Sequence, residues 1–293
     1  EVVAALVSAI EEDKIEKDIF SRAESKLGLT GSFLQLWASH LAYTKEQWQT
    51  ELESLHSLGN KTIIVQWLQS NEVSGRYVLM SKDPKDFDPT EELLAYADRN
   101  DMEVYLGTVW DSRWLIGYND IKVLADLVKE NQEIIPKIWK RYGHHKSFVG
   151  FYIPYETYDM DFSDVSMFFP LMYNIRHMIR QISIAARTVA EKPIKMAYSA
   201  YFVGRFTPQY VEYSYQELLR ESGIDVLMVQ DGVGVRHWKN YKKSVEPYLE
   251  AFQSACDTHG IEMWTIAETF EMTDKTKSFD VGGLSTKIEL SFR

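Results

Sequence analysis

The sequence predicts a single-domain α/β fold, a (β/α)8 barrel, on three observations. Short segments rich in β-branched and aromatic residues recur along the chain, and stretches of helical periodicity lie between them. The helices stop at Gly59, Asn100, Gly143, Gly223 and Gly260, each just ahead of the next strand. Residues of that kind suit C-terminal caps and the short αβ loops of repeated βα units. Seven or eight such units in about 260 residues match a barrel of parallel strands. A doubly wound sheet would want fewer strands and a phosphate-binding glycine loop, and the sequence contains neither Gly-x-Gly-x-x-Gly at a strand-to-helix junction nor a Walker sequence.

The expected strands are Ser32–Trp37, Thr62–Leu68, Glu103–Val109, Phe148–Pro154, Ile194–Ala200, Val226–Gln230 and Ile261–Ala267, with Lys287–Phe292 as the eighth. After the first strand, Lys45–Leu58 places Trp48, Leu52, Leu55 and Leu58 on one helical face, and Thr44 with Gln47 offers a capping box ahead of it. Glu91–Arg99, Ile121–Tyr142, Val165–Ala190, Ser214–Glu221 and Val245–His259 continue the alternation. Thr269–Thr286 reads as polar loop in place of a seventh helix, and no helical stretch follows the eighth strand, so the α7/α8 region is expected to be abbreviated. Residues 1–28, with Val3, Leu6, Val7 and Ile10 at helical spacing, are expected to pack as a helical segment on a barrel of residues 29–293. Glu1 in place of Met leads to the expectation of a processed or trimmed chain.

At 293 residues, 45% hydrophobic and 26% charged, the chain can bury one large core. The formal net charge of −11 argues against nucleic acid or an anionic membrane as partner, since both need a basic face, and no apolar run reaches the ~18 residues of a membrane span. A neutral ligand fits better. Cys256 is the only cysteine; it follows Val245, Leu249 and Phe252 at helical spacing and reads as a buried structural thiol. Eight Trp and seventeen Tyr are enough to build a large core, and enough also to line a sugar cleft, because flat apolar rings with a polar edge suit pyranose faces.

Parallel barrel strands bring their C-terminal ends to one rim, where residues distant in sequence meet. Those ends carry Gln35, Trp37 and His40; Gln66 and Trp67; Thr108, Trp110 and Asp111; Tyr155 and Glu156; Ser199 and Tyr201; Gln230 and Asp231; and Glu268. A glutamine ending an apolar strand is costly to bury without partners, so three at equivalent places point to a shared site. Glycoside cleavage needs one protonated carboxyl group for the departing oxygen and a second, ionised one to attack or to activate water. Glu156 and Glu268, closing the fourth and seventh strands, are the expected catalytic pair. Gln35, Trp37, His40, Gln66, Trp67, Trp110, Tyr155, Tyr201, Gln230 and Asp231 are the expected substrate contacts, with turn formation as the competing role of Asp231 in its Asp-Gly pair.

No cofactor is expected, and no metal: adjacent histidines such as His144 and His145 point in different directions. Asp159, Asp161 and Asp164 lack the glycine and terminal glutamate of a calcium loop and read as a solvated acidic loop. Neither a Gly-x-Ser-x-Gly elbow nor a His-Glu-x-x-His pair is present.

The segments Gly31-Ser-Phe-Leu-Gln-Leu-Trp37, Thr62-Ile-Ile-Val-Gln-Trp67, Gly150-Phe-Tyr-Ile-Pro-Tyr-Glu156, Val229-Gln-Asp-Gly-Val-Gly234 and Trp264-Thr-Ile-Ala-Glu268 resemble those of the TIM-barrel family of glycosyl-hydrolase type catalogued as domain of unknown function 4434. The likeness runs from about Gly31 to Phe270. It implies a barrel that acts on glycans outside the cytoplasm, in the periplasm, the cell envelope or the medium. More distantly the placement is similar to clan A retaining glycosidases, which would make Glu156 the acid/base and Glu268 the nucleophile. That clan carries Asn just before its acid/base, where this chain has Tyr155. The alternative from a different class is a carbohydrate-binding barrel without catalysis, which would keep Trp37, Trp67, Trp110 and Tyr201 and have no need of paired carboxylates.

Overall fold

The computed structural model describes residues 30–36, 40, 42–72, 75–80, 86–159, 168–236, 241–272 and 276–278. Their strands are β1 (Gly31–Leu34), β2 (Thr62–Val65), β3 (Gln69–Glu72), β4 (Gly75–Val78), β5 (Glu103–Gly107), β6 (Val109–Asp111), β7 (Phe148–Tyr158), β8 (Lys195–Tyr201), β9 (Val226–Gln230), β10 (Glu262–Ile266), β11 (Phe270–Met272) and β12 (Thr276–Ser278). The helices are α1 (Lys45–Ser57), α2 (Pro89–Arg99), α3 (Trp114–Gly117), α4 (Ile121–Tyr142), α5 (Phe168–Val189), α6 (Pro208–Leu219), α7 (Val233–Arg236), α8 (Tyr241–Ser244) and α9 (Glu246–His259).

Seven strands form one curled, wholly parallel sheet in the order β1-β2-β5-β7-β8-β9-β10, each paired with its predecessor in the chain. This is the predicted α/β barrel architecture, with all seven leading strands at their expected places. The eighth expected strand, Lys287–Phe292, and the expected helical segment of residues 1–28 lie outside the described residues.

Side chains alternate between the two faces of the sheet, and each face has its own core. One face packs on the helices through a large layer that includes Val65, Trp67, Leu106, Phe151, Ile153, Tyr155, Leu227 and Val229, met by Trp48 and Leu52 of α1, Leu127 and Ile138 of α4, Ile175 and Ile182 of α5, and Phe252 and Cys256 of α9. The other is a smaller cluster of Ile64, Tyr105, Tyr152, Ala197, Val226 and Met228, with Phe33, Trp264 and Ile266 against it. That second cluster lies on the face of the sheet away from the helices. Cys256 is buried as expected, and burial pushes its thiol up to about 12.

Local chemistry explains several helix boundaries. Thr44 and Gln47 form the expected capping box at α1. Asp88 caps α2 and Thr207 caps α6, each followed by Pro at the first helical position, where its missing N–H costs nothing. The helix expected at Ser214–Glu221 therefore starts earlier, at Pro208. Gly260 ends α9 in the left-handed region at φ 65°, whereas Gly143 ends α4 at φ −59° and needs no glycine for its conformation.

Two features depart from expectation. Part of the expected polar loop Thr269–Thr286 is a β-hairpin, β11 paired antiparallel with β12. Directly after β2 and β5 the chain forms a three-stranded side sheet, β4-β3-β6, in which β3 pairs antiparallel with β4 and parallel with β6. Arg113 pins this side sheet to α4. It bridges Asp111 at 2.8 Å, Glu130 at 2.6 Å and Asp126 at 3.3 Å, while Asn71 of β3 donates to Glu130 at 2.7 Å. The two strands feeding it run very close together: a Cβ on Gly107 would lie 2.1 Å from the carbonyl oxygen of Gln66.

Candidate active site

Alternation decides which strand-end residues reach the inside of the barrel. Phe33 and Gln35, Ile64 and Gln66, Met228 and Gln230, and Trp264, Ile266 and Glu268 are each two residues apart along their strand or its extension, and all of them line one cavity of about 900 Å³. Glu156 joins them from the C-terminal part of β7, where the pairing with β8 shifts register between Ile153 and Thr157. The cavity thus collects both expected catalytic carboxylates and all three strand-end glutamines.

The carboxylates have different surroundings. Glu156 keeps part of its surface open to the cavity. Burial is the main cause holding its carboxyl above the usual carboxylate range; a hydrogen bond with Gln230 pulls the other way, and the negative Glu268 pushes it up further. Glu268 is 6% exposed. Its Oε2 accepts the backbone N–H groups of Gly234 at 2.7 Å and Val235 at 3.0 Å, both in the short turn of α7. Its own N–H donates to Asp231 Oδ1 at 3.2 Å. The negative charge that helps to raise the Glu156 carboxyl is therefore one held in place by backbone donors.

Other expected contacts lie elsewhere. Trp67 is 3% exposed, its Nε1 donates to the Leu36 carbonyl at 2.8 Å, and its ring stacks on Trp110 at 5.9 Å. Tyr155 is fully buried among Trp110 and Trp114, with Asn131 donating to its hydroxyl at 3.1 Å. Both point to the helix layer, one residue out of phase with Gln66 and Glu156, and are core side chains rather than cleft walls. Asp231 is buried as well: its Oδ1 accepts from Val233 N and Glu268 N, the turn role that its Asp-Gly pair suits.

Trp110 is half-buried between Trp67 and Tyr155. Tyr201 stacks on Tyr158 at 4.8 Å, and His40 packs on Tyr43 and Trp48. None of these three lines the cavity, and Trp37 lies outside the described residues. Asp159, expected in a solvated loop, is buried and accepts the N–H of Val203 at 3.0 Å; Asp161 and Asp164 lie outside the described residues.

Sequence reasoning missed Phe33 and Trp264 as cavity residues, although their phase with Gln35 and Glu268 was available to find them. It also missed the amides of Gly234 and Val235. Backbone donors leave no mark in residue type.

The family model described as "Domain of unknown function (DUF4434)" matches residues 29–292. No curated protein matches the chain in sequence. Among solved structures, the chain is similar to a candidate alpha-L-fucosidase from Bacteroides thetaiotaomicron VPI-5482, with TM-score 0.67 and 20% identity over 90% of this chain and 82% of that one. A beta-galactosidase from the psychrophilic Marinomonas ef1 gives TM-score 0.57 at 10% identity, over 89% of this chain and 52% of that one. The intracellular xylanase TsXylA from Thermoanaerobacterium saccharolyticum JW/SL-YS485 gives 0.53 at 12% identity, over 94% and 82%. At these identities the likeness establishes the barrel fold.

Proposed function

The chain belongs to the DUF4434 family, and for this member we propose a retaining glycoside hydrolase, with Glu156 as general acid/base and Glu268 as nucleophile. The observation that carries the reading is the convergence of these two carboxylates, from the ends of the fourth and seventh sheet strands, on one cavity in which burial and the Glu268 charge favour a protonated Glu156. In the first step Glu268 attacks the anomeric carbon while Glu156 gives its proton to the departing glycosidic oxygen. In the second, Glu156 takes a proton from water as that water attacks the same carbon and frees Glu268. Holding Glu268 through Oε2 by two backbone N–H groups fixes the carboxylate without calling on a flexible side chain.

Gln35, Gln66 and Gln230 supply neutral donors and acceptors around the carboxylates, which suits the hydroxyl groups of an uncharged sugar. The fold neighbours include proteins named for action on glycosides, in keeping with this class. We further propose, from the family resemblance alone, that it works outside the cytoplasm. The non-catalytic carbohydrate-binding alternative is weaker, because Trp67 has gone to the core and with it one of the rings that reading relies on.

The test is hydrolysis of a panel of aryl glycosides, with the anomer of the first product followed by NMR. The expected result is turnover with retained configuration, lost in Glu268→Gln. In Glu156→Gln, slow breakdown of the glycosyl-enzyme should be relieved by azide. Inverted product would overturn the retaining mechanism, and turnover undiminished in Glu268→Gln would overturn the assignment altogether.

A further inference from the structure

At the end of the barrel away from Glu156 and Glu268, where α4 hands over to β7, three metal-ligating side chains converge. Glu91 in the first turn of α2, and His144 and His145 in the turn before β7, each offer one ligand atom, and these atoms lie within 4.8 Å of one another. The His145 side chain is only 6% exposed. Its Nδ1 meets Asp98 Oδ2 at 2.6 Å, and its Nε2 faces Glu91 Oε1 at 3.1 Å. Adjacent histidines were expected to diverge; in this turn their ring centroids are 4.2 Å apart.

We propose that Glu91, His144 and His145 form a binding site for a divalent cation of the zinc type, with Asp98 as the carboxylate that positions His145. Two imidazole nitrogens and one carboxylate oxygen form a donor set suited to zinc, whereas calcium and magnesium take oxygen ligands. Ligand atoms about 2.0–2.2 Å from a tetrahedral ion lie about 3.3 Å from each other. Glu91 Oε1 and His145 Nε2 already stand near that spacing. The exposed His144 ring closes the set by rotation. With the ion bound, His145 would donate Nδ1–H to Asp98 and give its Nε2 lone pair to the ion, the carboxylate–histidine–metal order that raises ligand basicity. Asp98 is itself fixed, since its Oδ1 accepts the Ser147 N–H at 2.8 Å. The bound ion would staple α2 to the start of β7.

The competing arrangement is a histidine bridging two carboxylates with no ion, in which His144 has no part. Tag-free protein stripped with chelator and titrated with zinc by calorimetry separates the two. The expected result is one zinc per chain, thermal unfolding shifted upward by zinc, and no displacement by a comparable concentration of calcium. His144→Ala removes an exposed ligand, and Glu91→Gln a half-buried one; each is expected to weaken binding at least about tenfold while the zinc-free protein stays folded. Asp98→Asn, which touches no ion, is expected to weaken it about 10–100-fold. Absence of stoichiometric binding, or equal affinity in His144→Ala and the wild type, would overturn the proposal, whatever the outcome of the glycosidase assays.

Discussion

Replacing Glu268 separates its anchoring role from its chemical one, because Gln and Ala remove different things. Glu268 Oε2 accepts two backbone N–H groups, at 2.7 and 3.0 Å, in a side chain that is 6% exposed. Hydrogen bonds to an ionised group contribute about 1.5–3 kcal/mol each, and water entering the cavity would recover part of that after truncation. Glu268→Ala is therefore expected to cost roughly 2–4 kcal/mol, a fall in Tm of about 3–7 °C for a chain of this size. Glu268→Gln keeps an oxygen in place and loses only charge assistance, so roughly 1–2 kcal/mol is expected. Its turnover should nonetheless fall by about 10³-fold or more, since the proposed nucleophile is gone. Differential scanning calorimetry and aryl glycoside hydrolysis on the same preparations read both quantities. An Ala variant melting within about 1 °C of the wild type would refute the anchoring argument, and a Gln variant with normal turnover would refute the chemical one.

Glu156 has a folded-state pKa above its unfolded one, so the native state binds this proton more readily; the stability this contributes is complete below the unfolded value and is lost as pH rises through the folded value. Glu156→Gln should accordingly be more stable than wild type near neutrality, with the difference closing toward about pH 4; denaturant titrations giving a pH-independent difference would contradict it. For turnover, kcat/KM should follow a bell in pH whose basic limb reports loss of the Glu156 proton, and that limb should vanish in Glu156→Gln for substrates with leaving groups that need no protonation. Gly107→Ala should destabilise by about 3 kcal/mol or more, because its Cβ meets the Gln66 backbone at 2.1 Å. Gly59→Ala, at φ 87° with open space around its Cβ, should cost only about 1–2 kcal/mol; thermal melts that reverse this ranking would show that the β2–β5 approach is not tight.

The parallel strands and long helices were legible because burial imposes a period on the sequence: Ile63, Ile64 and Val65, or Leu124, Leu127, Ile134 and Ile138, can be read without coordinates. The side sheet was not, because Gln69-Ser-Asn-Glu72 is polar and owes its strand conformation to pairing with β4 and β6 rather than to an apolar face. Within the site the two glutamates and three glutamines were identified, but so were their neighbours Trp67, Tyr155 and Asp231. Reading the end of each strand as a unit mixes the two faces of the sheet. Counting in twos from Ile64 to Gln66, or from Trp264 to Glu268, would have kept the inward file and sent Trp67 and Tyr155 to the helix layer. The pairing of Glu268 with α7 had no such signal, since any residue could supply those N–H groups.

The strand order has a consequence for how the molecule comes into being. After β1, each of the six later parallel strands joins the parallel strand that precedes it in the chain, so every ladder closes a modest loop and the sheet can grow from one edge as the chain emerges. The site does not grow in the same way. Gln35 and Gln66 are in place early and Glu156 midway, but Gln230 and Glu268 arrive only with the sixth and seventh strands. Until then Glu156 lacks both the amide it bonds to and the charge that raises its pKa. A chain arrested before β10 would hold most of the barrel's ladders and only one of its two carboxylates, so the proposed chemistry is switched on by the last of these docking events.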